Sequence, residues 1–292
     1  MEVFLPRTLE EALETAAAHP ELVPIAGGTD VMVELNFDLA RPEALMDISG
    51  LSELRELRIE DDTVFVGAGV TYARILRELA GLTPLAQASR SVGSPQIRNR
   101  GTIGGNLGTA SPAGDALPVL AAFDADVVLI RAGGRSRSLR WRDFLLGVKR
   151  TALEPGELIL GTSWHAVPGP GSFSKIGSRN AMVISVAGLC LQLDEVARDV
   201  RVALGSVAET VVRAEAAEAF ARNAIESSGA WDDPGAPVAE PDVARFGELV
   251  AEAAEPIDDQ RGTAVYRRHA CAVLARRALT WALEDRRREA GP

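Results

Sequence analysis

The sequence has 292 residues, which is enough for two or three compact domains with cores of their own. Its 47% hydrophobic and 25% charged residues are typical of a globular protein, and no apolar stretch reaches the roughly 20 residues of a membrane-spanning helix. The formal net charge of -10 argues against nucleic acid or an anionic membrane as the main partner. The N-terminus lacks the basic start and apolar run of a signal peptide, so a cytoplasmic location is expected.

The N-terminal region predicts a helix followed by a glycine turn. Thr8 and Glu11 have the spacing of a capping box, and residues 9–16 carry apolar side chains on one helical face. The apolar run 22–26 then stops at Gly27-Gly28-Thr29-Asp30, ahead of residues 31–35. This pattern indicates a strand, a tight turn and a short helix.

The middle of the chain predicts two β-hairpins, in residues 57–66 and 127–139. Between them, residues 94–118 contain five glycines and three prolines. So long a glycine-rich stretch inside a compact domain is usually functional or disordered, and the periodic segments on both sides favour a function.

A plausible linker at residues 168–171 precedes a third region with strands at 172–176, 183–193 and 200–204 and helices at 214–224, 243–254 and 270–281.

Arg286 to Arg288 are expected on a solvated helix face, with a subunit-docking patch as the alternative. Cys190 and Cys271 are expected to be buried, and two cysteines are too few to ligate an iron–sulfur cluster. Any electrons that pass through the chain must therefore be carried by an organic cofactor. We predict no metal ligand and no catalytic side chain.

Two glycine-containing segments could bind one diphosphate from both sides. Residues 26–30 have paired glycines, which let the backbone approach a ligand, followed by a predicted helix start. Residues 99–115 contain the second pair, Gly104-Gly105, flanked by threonine, asparagine and aspartate. Either segment alone is more often a simple turn, but the two together favour a nucleotide-diphosphate cofactor.

These segments, together with residues 173–179 and 258–268, resemble in the same order the FAD-binding medium subunits of molybdenum hydroxylases, the xanthine dehydrogenase and carbon monoxide dehydrogenase family. The resemblance covers nearly the whole chain. It implies an α+β fold, with a two-lobed FAD-binding domain of the vanillyl-alcohol-oxidase (PCMH) type in residues 1–55 and 56–168. A small α+β domain of the CO dehydrogenase flavoprotein C-terminal type would occupy residues 172–288.

The resemblance also implies the cofactor-binding residues. Pyrophosphate contacts are expected from Gly27, Gly28, Thr29, Thr102, Gly104, Gly105 and Asn106. Thr109 and Asp115 would reach ribityl or ribose hydroxyls, and Lys175 would lie near the flavin ring, where a cation favours the anionic reduced flavin. The remaining expected FAD-binding residues are Ala26, Asp30, Val31, Val92 and Gly114. No histidine lies in a glycine loop, so the FAD is expected to be non-covalent.

The function implied is that of an electron-transfer subunit in a complex, most closely like xanthine dehydrogenase. Molybdopterin and [2Fe–2S] clusters would lie on a large and a small partner subunit, and electrons would pass through FAD to NAD or another acceptor. One alternative is a stand-alone FAD-dependent oxidoreductase whose small-molecule pocket is shaped by Trp164, His165 and Met182. Another is a non-catalytic scaffold that keeps the fold.

Overall fold

The computed structural model describes residues 1–291, which form two compact units. The first consists of Met1–Glu78, Val92–Ser111 and Asp124–His165, and the second of Leu79–Ser91, Pro112–Phe123 and the chain from Ala166 onwards. Both contain helices and sheets, which confirms the predicted α+β class. Among residues 1–291, no helix is long and apolar enough to cross a membrane.

The elements are numbered here in chain order. The strands are β1 (Glu2–Phe4), β2 (Val23–Ile25), β3 (Ala44–Asp47), β4 (Leu57–Glu60), β5 (Thr63–Gly67), β6 (Asp126–Arg131), β7 (Arg135–Arg140), β8 (Leu145–Gly147), β9 (Arg150–Thr151), β10 (Glu157–His165), β11 (Gly171–Ile176), β12 (Ala187–Asp194), β13 (Asp199–Gly205) and β14 (Val212–Arg213). The helices are α1 (Leu9–Ala18), α2 (Val31–Asn36), α3 (Tyr72–Glu78), α4 (Thr83–Ser91), α5 (Pro95–Arg100), α6 (Ile103–Thr109), α7 (Ala116–Ala122), α8 (Trp141–Phe144), α9 (Glu215–Ser228), α10 (Glu240–Glu252) and α11 (Ala264–Glu289).

The first unit contains two principal sheets. A parallel three-stranded sheet has the order β1-β3-β2, and an antiparallel five-stranded sheet has the order β4-β5-β10-β6-β7. The pairs β4–β5 and β6–β7 are the two hairpins predicted from the alternating sequence, so those predictions are confirmed.

Helix α1 forms as the sequence predicts. Thr8 Oγ1 accepts a hydrogen bond from the backbone N–H of Glu11 at 3.2 Å, which caps the helix. Ala12, Leu13 and Ala16 on one face are buried and pack in the core of the first unit. The capping residue and the apolar periodicity therefore agree on where the helix lies.

The glycine-rich stretch 94–118 is not one continuous loop, because it contains α5, α6 and the start of α7. Ser94 caps α5, whose first residue is Pro95, and Thr102 caps α6. Side-chain capping at the start of each of these two short helices outweighs the low helix propensity of glycine.

The core of the second unit lies between its sheet and its long helices. The sheet has the antiparallel order β11-β12-β13-β14, and every residue of β12 is buried. Apolar side chains of α9, α10 and α11 complete this core, and both cysteines are buried as predicted. The predicted strand start at residue 183 is wrong, because Ile176 pairs with Ala187 and residues 177–186 form the hairpin connection.

Arg286 contradicts the prediction that the C-terminal arginines lie on a solvated face. Its guanidinium is buried in the second unit, donates to the carbonyls of Ala230 and Trp231, and pairs with Glu195. Its charge also lies over the Trp231 ring, 5.2 Å from the ring centroid. Arg288, two residues on, is exposed.

Glu157 joins the start of β10 to β6 and β7 through hydrogen bonds with two arginines. Its side chain is 1% exposed and accepts from Arg131 and Arg137. The backbone N–H of Glu154 also donates to it, at 2.9 Å. Burial raises the pKa of Glu157, but the bonds from Arg137, the Glu154 N–H and Arg131 outweigh it and lower that pKa to about 2.

We predict that Glu157→Gln lowers the free energy of unfolding by about 3 kcal/mol at pH 7. Because the folded pKa lies below the unfolded value of 4.5, this contribution is complete above pH 4.5 and is lost as the pH falls towards 2. Urea unfolding of both proteins between pH 7 and pH 3 measures the difference.

The matched control is Glu154→Gln. The side chain of Glu154 pairs with the same two arginines but is 52% exposed. We expect Glu154→Gln to lower the free energy of unfolding much less than Glu157→Gln does. This account would be contradicted if the difference in free energy of unfolding between wild type and Glu157→Gln did not decrease at low pH.

Candidate functional site

The first glycine loop, residues 26–31, follows β2 at the carboxyl end of the parallel sheet and leads into α2. Gly28 has a φ of +73°, which residues with a Cβ rarely adopt. The backbone N–H groups of Gly27, Gly28, Thr29, Asp30 and Val31 donate to no acceptor within residues 1–291. Consecutive backbone donors of this kind form a site for an anion such as a pyrophosphate.

The second glycine segment differs from the first because its own donors are already used. The N–H of Ile103 donates to the carbonyl of Val70 at 3.0 Å, and that of Gly104 to the carbonyl of Ala68 at 2.9 Å. The N–H of Gly105 donates to Thr102 Oγ1 at 3.0 Å. The start of α6 is therefore held against the chain after β5.

The two segments contact each other within the first unit. A Cβ on Gly27 would lie 2.0 Å from the carbonyl oxygen of Arg100, so only glycine fits there. Thr109 Oγ1 donates to Asp30 Oδ2 at 3.4 Å. Burial raises the pKa of Asp30, against the opposing effects of the Thr109 hydrogen bond and the Lys149 charge.

Asn106 has a feature that fits a bound nucleotide. Its Oδ1 is buried and, within the described chain, has no hydrogen-bond partner. A buried amide without a partner costs free energy unless a ligand satisfies it. Because no bond fixes the amide, it can present either its carbonyl to a hydroxyl or its NH2 group to a phosphate. The free donors of residues 27–31 and this orphaned amide together fit FAD.

A buried polar cluster in the second unit contains two of the predicted residues. Lys175 Nζ donates to Asp115 Oδ2 at 2.5 Å and to the carbonyls of Ser91 and Val183 at 2.9 and 3.2 Å. Ser91 Oγ lies 2.8 Å from Asp115 Oδ2. Burial raises the pKa of Asp115, while Lys175 and Ser91 act in the opposite direction.

All three ammonium protons of Lys175 therefore have protein acceptors. Its cluster ties β11 to the end of α4, the start of α7 and the connection 177–186. Sequence reasoning missed Ser91 and Val183, because backbone carbonyls and serine hydroxyls occur throughout the chain and nothing local marks these. A role for Lys175 beside the flavin stays a prediction.

The other predicted residues divide between the units. Gly114 lies in the second unit with Asp115 and Lys175, and Val92 lies in the first, where its carbonyl accepts from Arg98 at 3.0 Å. The first unit also holds all the predicted residues of the two glycine segments up to Thr109. Arg100 and Ala68, which set the close approach of these segments, were not predicted.

Two of the three residues predicted to shape a stand-alone pocket, Trp164 and His165, belong to the first unit. Trp164 and His165 are adjacent in β10, so their side chains lie on opposite faces of the sheet. Trp164 is buried, whereas His165 is exposed and lies 3.4 Å from Thr63 Oγ1. Met182 lies in the second unit, in the connection 177–186.

Comparison with known proteins gives the same interpretation as the geometry. Residues 1–163 match the model of the FAD binding domain in molybdopterin dehydrogenase, and residues 172–282 match the CO dehydrogenase flavoprotein C-terminal domain. The chain is 36% identical over 209 residues to the nicotinate dehydrogenase FAD-subunit of Eubacterium barkeri, covering 66% of this chain and 69% of that protein. It is 30% identical to the glyceraldehyde dehydrogenase medium chain of Sulfolobus acidocaldarius, covering 93% and 94%.

A solved structure with the same fold is the carbon monoxide dehydrogenase from Hydrogenophaga pseudoflava that lacks the Mo-pyranopterin moiety. The TM-score is 0.83 at 27% identity, covering 97% of this chain and 96% of that one. The chain therefore belongs to the family of FAD-binding medium subunits of molybdenum hydroxylases. This confirms the family and the FAD-binding fold that the sequence predicts.

We predict that Lys175→Met lowers the free energy of unfolding by about 3 to 5 kcal/mol, because it leaves Asp115 buried without its cation. The loss should be smaller at pH 5 than at pH 8, since a raised pKa lets Asp115 become neutral. Urea unfolding of the full chain measures both values.

The chain has a second lysine, Lys149, whose pair with Glu34 is largely exposed. Lys149→Met is the matched control and should cost less than about 1 kcal/mol. Equal losses in the two lysine variants would show that the Asp115 pair is not specifically stabilising.

Proposed function

We propose that this chain binds FAD non-covalently and acts as the electron-relay subunit of a molybdenum hydroxylase complex. An iron–sulfur small subunit would supply electrons from a molybdopterin large subunit, and the acceptor would be NAD or another oxidant. The observations that carry this proposal are the row of free N–H groups from Gly27 to Val31 and the orphaned amide of Asn106, in two segments that contact each other. Within residues 1–291, no cluster of three or more His, Cys, Asp or Glu could hold a metal ion.

Residues 27–31 would hold the pyrophosphate through their backbone donors. The start of α6, with Thr102, Gly104 and Gly105, would form the opposite wall, and Asn106 would add one side-chain hydrogen bond. Ala26, Thr109 and Val92 would border the cofactor in the same unit. Gly114, Asp115 and Lys175 are proposed as contacts from the second unit.

Bound FAD would supply the exchange between one-electron and two-electron carriers, which no side chain of this protein can perform. The residues of the chain then need only bind and orient the cofactor. A division of labour among subunits agrees with the presence of two cysteines, which are too few to ligate an iron–sulfur cluster. It also agrees with the known relatives, whose names describe one subunit or chain of a dehydrogenase.

For the organic substrate we propose a purine, as in xanthine dehydrogenase. The support is the resemblance of residues 31–36 and 95–100 to the same segments of bacterial purine-oxidising members of the family. The similar proteins act on nicotinate, glyceraldehyde and carbon monoxide, so a shared medium-subunit fold accompanies different substrates. We therefore assign the choice of substrate to the large subunit.

The first test is the visible absorption spectrum of the tagged chain purified gently from its native host. The proposal predicts flavin bands overlaid by broad iron–sulfur absorption, with a small cysteine-rich chain and a large chain in the same complex. Flavin bands on a lone chain would assign a stand-alone oxidoreductase instead. Oxidation of a purine by the isolated FAD-loaded chain would also contradict the proposal.

A second prediction concerns two glycines of one helix. A Cβ on Gly104 would lie 2.4 Å from the Cβ of Ala68, so Gly104→Ala must displace α6. We expect FAD to bind this variant about tenfold more weakly or worse, as overpacking of this kind costs about 1 to 3 kcal/mol. Fluorescence titration of FAD into the cofactor-free chain measures the affinity.

The matched control is Gly108→Ala in the same helix. The nearest atom to a Cβ on Gly108 is Ile159 Cδ1, at 3.6 Å, which is an ordinary contact. This variant should bind FAD as the wild type does. If both variants bind FAD equally well, the wall formed by α6 is not part of the cofactor site.

A further inference from the structure

The first unit contains a concave site, which we call the arginine cleft. It has a volume of about 430 Å³, and its lining residues include Arg55, Arg74, Arg77 and Arg100 together with Ser49 and Thr71. These residues come from chain segments that are far apart in sequence. A cleft of this size is large enough for a small-molecule ligand.

The cleft has an excess of positive charge. Arg74 and Arg77 share one carboxylate, that of Glu78, at 2.8 and 2.7 Å. Within residues 1–291, Arg55 and Arg100 have no carboxylate within 4.0 Å. The four arginines therefore have one carboxylate partner among them, in a chain whose net charge is -10. Unpaired like charges at one site repel each other, so a bound anion would stabilise this arrangement.

The chemistry of the lining favours phosphate. Guanidinium groups bind phosphate oxygens through paired N–H donors, and four of them match the charge of a diphosphate better than that of a single carboxylate. Ser49 and Thr71 add hydroxyl donors. The other lining residues include Ala26, Gly69 and Ala73, whose small size leaves room for a ligand. None of the residues that line this cleft is aromatic. The cleft would therefore recognise the polar end of its ligand.

The arginine cleft is distinct from the proposed FAD site. None of Gly27 to Val31, whose N–H groups are free, lines it, and neither does Asn106. The two sites share only their border, at Ala26 and Thr102. We propose that the arginine cleft binds a small molecule that carries a diphosphate, while the glycine loop holds FAD.

The test is isothermal titration of inorganic pyrophosphate into the FAD-loaded full chain at constant ionic strength. We expect saturable binding that is about tenfold weaker or worse in Arg55→Gln and in Arg100→Gln, because each removes a charged hydrogen-bond donor. The flavin absorbance should stay unchanged in both variants and throughout the titration. Arg58→Gln is the matched control, since Arg58 is exposed, pairs with Glu56 and does not line the cleft.

Several results would overturn the proposal. No binding to the wild type would do so, and equal binding to all three variants would mean an adventitious ion only. Release of FAD by pyrophosphate, or loss of FAD from the Arg55 or Arg100 variant, would assign the cleft to the flavin cofactor. If the wild type binds no pyrophosphate but the variants fail to assemble with a partner chain, the cleft is instead a surface for an acidic protein segment.

Discussion

The close approach of Gly27 to the carbonyl oxygen of Arg100 is the constraint on which the proposed site depends. No side chain fits between these two segments, so the first glycine loop can lie directly against the chain that precedes α6. Gly104 makes a second approach of the same kind, against Ala68. Because α6 uses its first N–H groups within the protein, the loop of residues 27–31 is left as the main source of backbone donors. The proposed site would therefore have one wall that donates hydrogen bonds and one wall that supplies shape.

This asymmetry explains what the paired glycines do. The sequence predicts that the first pair lets the backbone approach a ligand and that the two pairs together bind one diphosphate. In the structure, Gly27 and Gly104 are required by the protein's own backbone, and Gly28 is required by its positive φ. The glycines thus allow two distant segments to meet, and the meeting creates the place where a diphosphate can be held.

Much of the fold could be predicted from local pattern. The hairpins β4–β5 and β6–β7 have alternating apolar residues and turn residues, and Thr8 caps α1 at the expected place. The helices α5 and α6 could not be predicted, because glycine content conceals helices that depend on capping by Ser94 and Thr102. Burial of Arg286 depends on carbonyls over fifty residues away in sequence. Long-range partners of this kind leave no local signal, and the same holds for Ser91 and Val183 around Lys175.

The central claim is that backbone donors of residues 27–31 hold the FAD pyrophosphate. Amide hydrogen exchange, followed by NMR in the cofactor-free and FAD-loaded chain, tests it residue by residue. The account predicts fast exchange at Gly27 to Val31 without FAD and strong slowing with it, while the amides of Ile103 to Gly105 are slow in both states. Unchanged exchange at Gly27 to Val31 on binding FAD would contradict the account.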